Sequence, residues 1–74
     1  MYLICINSRQ DPLGGADYRQ GIREGWMYHV TDDNIHPDNY ARGEKWWWNL
    51  ARFRKLSQVE AVILMKNKRV YRLP

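Results

Sequence analysis

One short segment gathers side chains that could bind a metal or move protons. Residues 31–38 contain Asp32, Asp33, His36 and Asp38, which are three carboxylates and an imidazole within eight residues. The spacing does not match an EF-hand loop, which has alternating ligands, a central glycine and a closing glutamate. A turn followed by a helix cap at Asp38, with Pro37 restricting His36, accounts for the same residues. We prefer that interpretation.

The other residue types that support catalysis are isolated in the sequence. Cys5 lies in an apolar run with no neighbouring base to activate a thiolate, and His29 is expected to be half-buried in a strand. The Gly14-Gly15 pair lacks the lysine and the following helix of a phosphate-binding loop. No Ser/His/Asp set or carboxylate pair stands out for acid–base work. We therefore expect no enzyme, no metal and no cofactor, with a hydrolase or nuclease using the Asp/His segment as the alternative.

The triple tryptophan at 46–48 suggests a binding function. The pattern from 41 to 56 predicts a helix, although Gly43 weakens its first turn. On a helical wheel the core face then holds Trp46, Trp47, Leu50 and Phe53. Trp48 falls on the opposite side, among the charged residues Glu44, Lys45, Arg52 and Lys55. A tryptophan exposed among cations predicts a binding anchor or a base-stacking platform.

Two alternatives leave Trp48 without a binding role. Either the loop 8–24 folds over the ring, or the aliphatic stems of neighbouring cations pack across it. The cations themselves could neutralise phosphates or form a solvated helix face. The predicted partner-binding residues are the exposed tryptophan and the cations of the helix and of the turn that follows it: Trp48, Arg42, Lys45, Arg52, Arg54, Lys55, Lys68 and Arg69.

Charge is distributed unevenly along the 74 residues. Residues 1–40 hold three basic and six acidic residues, a net charge of −3, whereas residues 41–74 hold nine basic and two acidic residues, a net charge of +7. A basic half favours polyanionic partners such as nucleic acid, an acidic protein groove or anionic lipid. No RNP motif, zinc finger or helix-turn-helix pattern is present, so a sequence-reading helix is not expected.

These side chains must be positioned by a small α+β domain. Alternation predicts strands at 1–7 and 26–31, separated by the long loop 8–24 and followed by a turn at 32–34. After the helix 41–56, residues 59–66 and 69–73 predict a hairpin around Asn67-Lys68. The order is ββαββ, with one helix packed on an antiparallel sheet of three to four strands in a single domain.

The cellular compartment is indicated by cysteine usage and hydropathy. A single cysteine excludes a disulfide framework and indicates a reducing cytoplasm. The longest purely apolar run, Ala61–Met65, has five residues, far below the roughly 20 that a membrane-spanning helix needs. The start of the chain lacks the basic leader and apolar length of a signal peptide. We therefore expect a cytoplasmic protein without a membrane partner.

In profile the chain resembles the small regulators that bacteriophages make to attach to a host machine. The resemblance is carried by the tryptophan-rich basic stretch 42–55 and the basic residues that follow it. It implies a protein that binds host RNA polymerase and modulates transcription in the bacterial cytoplasm, or an anti-CRISPR inhibitor that occupies a nucleic-acid channel. A direct single-stranded nucleic-acid binder, with Trp48 as the stacking platform, is the alternative.

Overall fold

The computed structural model describes residues 1–8 and 21–74, so most of the predicted loop 8–24 lies outside the described residues. The predicted α+β class is confirmed, with strands before and after one helix. The strands are β1 (Tyr2–Cys5), β2 (Met27–His29), β3 (Ile35–His36), β4 (Tyr40–Arg42), β5 (Trp47–Asn49), β6 (Phe53–Leu56) and β7 (Val70–Arg72). The helix is α1 (Gln58–Met65), and 3₁₀ turns lie at Asp32–Asn34 and Leu50–Arg52.

The two strands predicted near the beginning of the chain, at 1–7 and 26–31, are confirmed and lie at the centre of a four-stranded sheet. Its order is β6-β1-β2-β7. β1 pairs antiparallel with β2, where Leu3 lies opposite Tyr28, and antiparallel with β6, where Cys5 lies opposite Phe53. Since β7 pairs parallel with β2, the sheet is mixed, whereas an antiparallel sheet was expected.

Side-chain alternation along β1 and β2 gives this sheet two apolar faces. Leu3, Cys5 and Tyr28 belong to the larger core cluster on one face. Met27 and Leu56 belong to a second cluster with the helix. The sheet therefore needs a covering layer on each side, and the chain supplies a helix for one and a second sheet for the other.

Helix α1 covers the second face, and its beginning is specified by local sequence. The Ser57 side chain accepts from the N–H of Glu60, and the Glu60 carboxylate accepts from the N–H of Ser57, which forms a capping box. Ala61 is fully buried against the sheet, and Leu64 packs beside it. The prediction of a strand at 59–66 is wrong, because this cap favours helix where the β-branched residues Val59, Val62 and Ile63 favour strand.

The predicted hairpin around Asn67-Lys68 is also wrong. The N–H groups of Asn67 and Lys68 donate to the carbonyl of Leu64 at 3.1 and 2.9 Å, which closes the end of α1. β7 then pairs with β2, not with the segment before it. The strand directions make β6 and β7 parallel, at opposite edges of the sheet, so β6-α1-β7 is a crossover connection through the helix.

The second sheet is built from two short hairpins in the order β3-β4-β5. In the first, His36 pairs with Tyr40 across a three-residue loop in which Asn39 adopts φ 69°, a left-handed conformation that asparagine tolerates. In the second, Arg42 pairs with Trp47, and the N–H of Gly43 donates to the carbonyl of Trp46 at 2.7 Å. The predicted helix 41–56 is therefore wrong: this segment is two strands, a 3₁₀ turn and a third strand.

No helix within the described residues is both long enough and apolar enough to span a bilayer.

Candidate partner-binding surface

Trp48 lies in the core and not at the surface. Its side chain is 2% exposed, and its indole N–H donates to the carbonyl of Pro74 at 3.0 Å. The predicted outward orientation, and with it the role of Trp48 as a binding anchor, is therefore wrong. On β5 the residues alternate, so that Trp48 points inward beside Ala41 of β4 while Trp47 and Asn49 point outward.

Glycines make room for this ring where the chain passes closest to it. A Cβ atom at Gly21 would lie 2.5 Å from the Cη2 atom of Trp48, nearer than a carbon atom can approach. At Gly43 a Cβ would meet the Trp48 Nε1 at 2.8 Å, and would also clash with the Pro74 carbonyl. The described end of the predicted loop, Gly21 and Ile22, thus packs in the same core as Trp48, in keeping with the alternative that this loop covers the ring.

The exposed indoles are those of Trp46 and Trp47, which the helical wheel placed in the core. Trp46, in the β4–β5 turn, is 61% exposed, and Trp47, on β5, is 52% exposed. Both orientations are the reverse of the prediction. Trp47 points outward because a strand inverts successive side chains where a helix rotates them by about 100°, and Trp46 is exposed because it lies in the turn before the strand. The candidate contact residues that sequence reasoning missed are therefore neighbours of the one it selected.

Trp47 forms part of a continuous outward surface on the three-stranded sheet, which we call the aromatic face and define as His36, Tyr40, Arg42 and Trp47. The Arg42 guanidinium carbon lies 5.9 Å from the centroid of the Trp47 ring. The His36 ring meets the Trp47 ring edge to face, with centroids 5.8 Å apart. Tyr40 is 40% exposed on the strand between them. A cation, an imidazole, a phenol and an indole thus share one side of a sheet whose other side is core.

A shallow pocket of about 280 Å³ opens on this face, lined by His36, Asp38, Tyr40 and Trp47. The N–H of Asp38 donates to Nδ1 of His36 at 3.1 Å. The Asp38 carboxylate lies 3.4 Å from the same Nδ1, and it becomes a charge partner only when the ring is protonated. The pocket therefore combines aromatic walls with one carboxylate.

The predicted basic residues do not form a single patch. Arg42 and Lys45 are exposed at the second hairpin, whereas Arg54 and Lys55 are exposed on β6, at one edge of the larger sheet. Lys68 and Arg69 precede β7, at the opposite edge. Arg54 is also engaged by Glu60, with Nη1 and Oε2 2.8 Å apart. That contact is the first cause of the lowered pKa of the Glu60 carboxyl.

Arg52 is the second predicted site residue that lies in the interior. It is 5% exposed, its Nη1 donates to the Asn7 carbonyl at 3.4 Å, and its own carbonyl accepts from the N–H groups of Ile6 and Asn7. These contacts join the 3₁₀ turn to the end of β1. Arg52 therefore has a structural role and is removed from the contact surface.

A second aromatic group lies along the β7 edge, and we call it the stacked cluster: Arg23, Trp26, Arg69 and Tyr71. The Trp26 and Tyr71 rings stack with centroids 4.4 Å apart and an interplanar angle of 15°. The guanidinium carbon of Arg23 lies 5.2 Å from the Trp26 ring, and that of Arg69 lies 5.3 Å from the Tyr71 ring. Two cations thus flank two stacked rings, in the geometry of cation–π contacts.

The Asp/His segment forms a turn and a hairpin, with no helix cap. Asp38 lies in the loop between β3 and β4, so the predicted cap at Asp38 is wrong. Within residues 1–8 and 21–74 no three His, Cys, Asp or Glu side chains lie together in a way that would hold a metal ion. Burial raises the pKa of the Cys5 thiol, which is 2% exposed, so it is a poor nucleophile.

No protein family, curated protein or solved structure matches this chain. Its function is therefore inferred from the side chains that the fold leaves at the surface.

Proposed function

We propose that this chain is a non-enzymatic regulator that docks on a large nucleic-acid-handling complex, such as RNA polymerase, and modulates transcription. The observation that carries the proposal is the exposure of Trp46 and Trp47 beside Arg42 and Tyr40. Exposed indoles add nothing to the core and reduce solubility. Tryptophan, tyrosine and arginine are also the residues that dominate the binding energy of protein interfaces.

The mixed charge of this surface favours a protein partner over a bare polyanion. Asp38 lines the pocket of the aromatic face, and Glu44 lies beside Lys45 in the adjacent turn. Carboxylates near the rings would repel a nucleic-acid backbone, whereas a protein surface can complement both signs. A standard interface needs only about 800 Å² from each partner, which a chain of this size can supply.

The basic half of the chain supports a partner that itself handles nucleic acid. The net charge of +7 over residues 41–74 raises the rate of encounter with assemblies that carry bound polyanions. The compartment that goes with this function is the cytoplasm, in keeping with a single buried cysteine.

The test is capture of the complex from a bacterial extract on the immobilised chain, with and without nuclease. We expect RNA polymerase or another nucleic-acid-handling assembly to be retained after nuclease treatment and lost with Trp47→Ala. The matched control is Val59→Ala, which removes an exposed apolar side chain from α1, on the other side of the larger sheet. Equal capture by Trp47→Ala and the parent chain would refute the aromatic face as the contact surface.

The stacked cluster supports a second candidate function, direct binding of single-stranded nucleic acid. Trp26 is partly exposed, and its ring stacks on Tyr71 and contacts the Arg23 guanidinium. Bases stack on such rings at about 1–3 kcal/mol per base, and flanking arginines neutralise phosphates. Unlike the pocket of the aromatic face, which Asp38 lines, this group of four side chains contains no carboxylate.

Oligothymidylate binding separates the two candidates. If the second is right, affinity falls steeply with salt and is lost in Trp26→Ala but kept in Trp47→Ala. If the first is right, any oligonucleotide affinity is unchanged in Trp26→Ala, and the captured assembly depends on Trp47.

A further inference from the structure

A cavity lies where the two sheets meet, and we call it the inter-sheet pocket. Its volume is about 460 Å³, within the range of sites for small ligands. It lies apart from the pocket of the aromatic face. The polar residues of its lining come from four segments of the chain: His29, Thr31, Asn34, Arg42, Glu44 and Arg72.

The strand pairing brings the basic members of this lining together. His29 ends β2 and lies opposite Arg72 in the parallel β2–β7 pair. Arg42 ends β4, in the other sheet, and reaches the same cavity. The backbone bond from the N–H of Glu44 to the carbonyl of Leu73, at 3.0 Å, holds the two sheet edges together beside the cavity. The three basic groups are thus far apart in sequence and converge only in the folded chain.

The charge balance of the pocket is positive. Glu44 is the carboxylate of the lining, against the two guanidinium groups, so the net charge is +1 with His29 neutral and +2 with His29 protonated. Among the described residues, no carboxylate forms an ion pair with Arg42 or Arg72. Guanidinium groups present planar donor pairs that match the oxygen atoms of a phosphate.

The lining also supplies uncharged hydrogen-bonding groups at the same cavity. The Asn34 amide donates to the Thr31 hydroxyl at 2.9 Å. That contact leaves the hydroxyl proton of Thr31 and one amide proton of Asn34 able to donate to another acceptor. An anion with several acceptor oxygens therefore fits such a lining better than an apolar ligand does.

From this convergence we infer that the inter-sheet pocket binds a phosphate group through Arg42, Arg72 and His29. The inter-sheet pocket shares Arg42 with the aromatic face, whereas Arg72 and His29 lie outside that face. Variants at Arg72 therefore test the phosphate site separately from the docking function, which is tested at Trp47. The phosphate belongs either to a small phosphorylated molecule or to the backbone of a nucleic acid, since both present the same oxygens.

The experiment is an NMR titration of the isotope-labelled chain with inorganic phosphate, with sodium chloride at matched ionic strength and fixed pH as the reference. We expect saturable shifts of the side-chain signals of Arg42, Arg72 and His29. In Arg72→Gln the affinity should fall by about tenfold or more, the usual effect of losing a charge-assisted bond. Lys55→Gln removes the same charge at the far edge of the sheet and should leave the affinity unchanged.

Further arms identify the source of the phosphate and protect the test from a folding defect. Thymidine monophosphate carries a terminal phosphate, whereas the dithymidine phosphodiester carries only a bridging one. Tighter binding of the monophosphate indicates a small ligand. Equal or tighter binding of the phosphodiester indicates a nucleic-acid backbone. Arg72→Lys keeps the charge without the planar donor pair and should recover part of the affinity. Shifts that are linear in phosphate, or equal losses in Arg72→Gln and Lys55→Gln, would overturn the inference.

Discussion

Replacing Trp48 with alanine is expected to remove a large part of the stability of this chain. The side chain is 2% exposed and packs with residues of both sheets, among them Leu3, Tyr28 and Ala41. Emptying a buried aromatic site costs about 3–5 kcal/mol. That range includes about 1 kcal/mol from loss of the hydrogen bond between the indole N–H and the Pro74 carbonyl. For a chain of 74 residues, the whole free energy of unfolding is about 4–11 kcal/mol.

The assay is thermal unfolding followed by far-ultraviolet circular dichroism, which does not depend on which tryptophan is missing. At about 4–8 °C per kcal/mol for a domain of this size, Trp48→Ala should lower the melting temperature by at least about 12 °C. Trp48→Phe keeps much of the apolar volume and loses the indole N–H, so we expect an intermediate loss of about 1–3 kcal/mol.

The matched control is Trp46→Ala, two residues away in the same hairpin. Its ring is 61% exposed, and its backbone bond to Pro74 does not depend on the side chain. Exposed substitutions of this kind change stability by about 0.5 kcal/mol or less. If Trp48→Ala costs no more than Trp46→Ala, the inward orientation of Trp48 is wrong, and so is the three-stranded sheet that produces it.

Further predictions concern α1, the glycine contacts and the thiol. Ser57→Ala removes the N-cap of α1 and should cost about 0.5–2 kcal/mol in urea unfolding, whereas Ser57→Asp should restore most of it. The pKa of the Glu60 carboxyl is lowered in the folded chain, so its ionised form stabilises the fold above the pKa of the unfolded chain, and this stabilisation is lost as the pH falls through the lower folded value. The difference in unfolding free energy between the parent and Glu60→Gln should therefore close on acidification. A difference that stays constant with pH would contradict this. Gly21→Ala should destabilise the fold by pressing a methyl group on the Trp48 ring, which a melt of that variant checks. Cys5 should react with a thiol reagent only at the rate of unfolding, because it is buried and its pKa is raised; labelling as fast as that of free cysteine would show an open site.

Residues 40–49 show why the sequence predicted the fold class but misplaced the site. Three consecutive tryptophans carry no periodicity, so a helical wheel and a strand both accommodate them and assign opposite faces. In the neighbouring triplet Tyr40-Ala41-Arg42 a small apolar side chain lies between two large side chains with polar ends. That is a period of two, which favours a strand. Read together with the turn residue Gly43, it predicts the hairpin and the inward position of Trp48.

The position of the helix was also encoded locally. Ser57 and Glu60 have the spacing of a capping box, and this signal outweighs the strand propensity of Val59, Val62 and Ile63. The burial of Arg52, by contrast, had no local signal, because its partner Asn7 lies at the end of β1. The parallel pairing of β2 with β7 likewise depends on segments that are distant in sequence, and no local pattern specifies it.

The contrast between the two sheets has a consequence for how the chain reaches its native state. β3, β4 and β5 are joined by short hairpins, so their pairing closes only small loops and can form within microseconds. In the other sheet Leu3 pairs with Lys55 and Met27 with Val70, so most of the chain must be gathered before these contacts form, and such non-local pairing slows folding to milliseconds or longer. The hairpins are therefore expected to form before the larger sheet does, and the Trp48 ring stays in contact with water until the distant strands cover it.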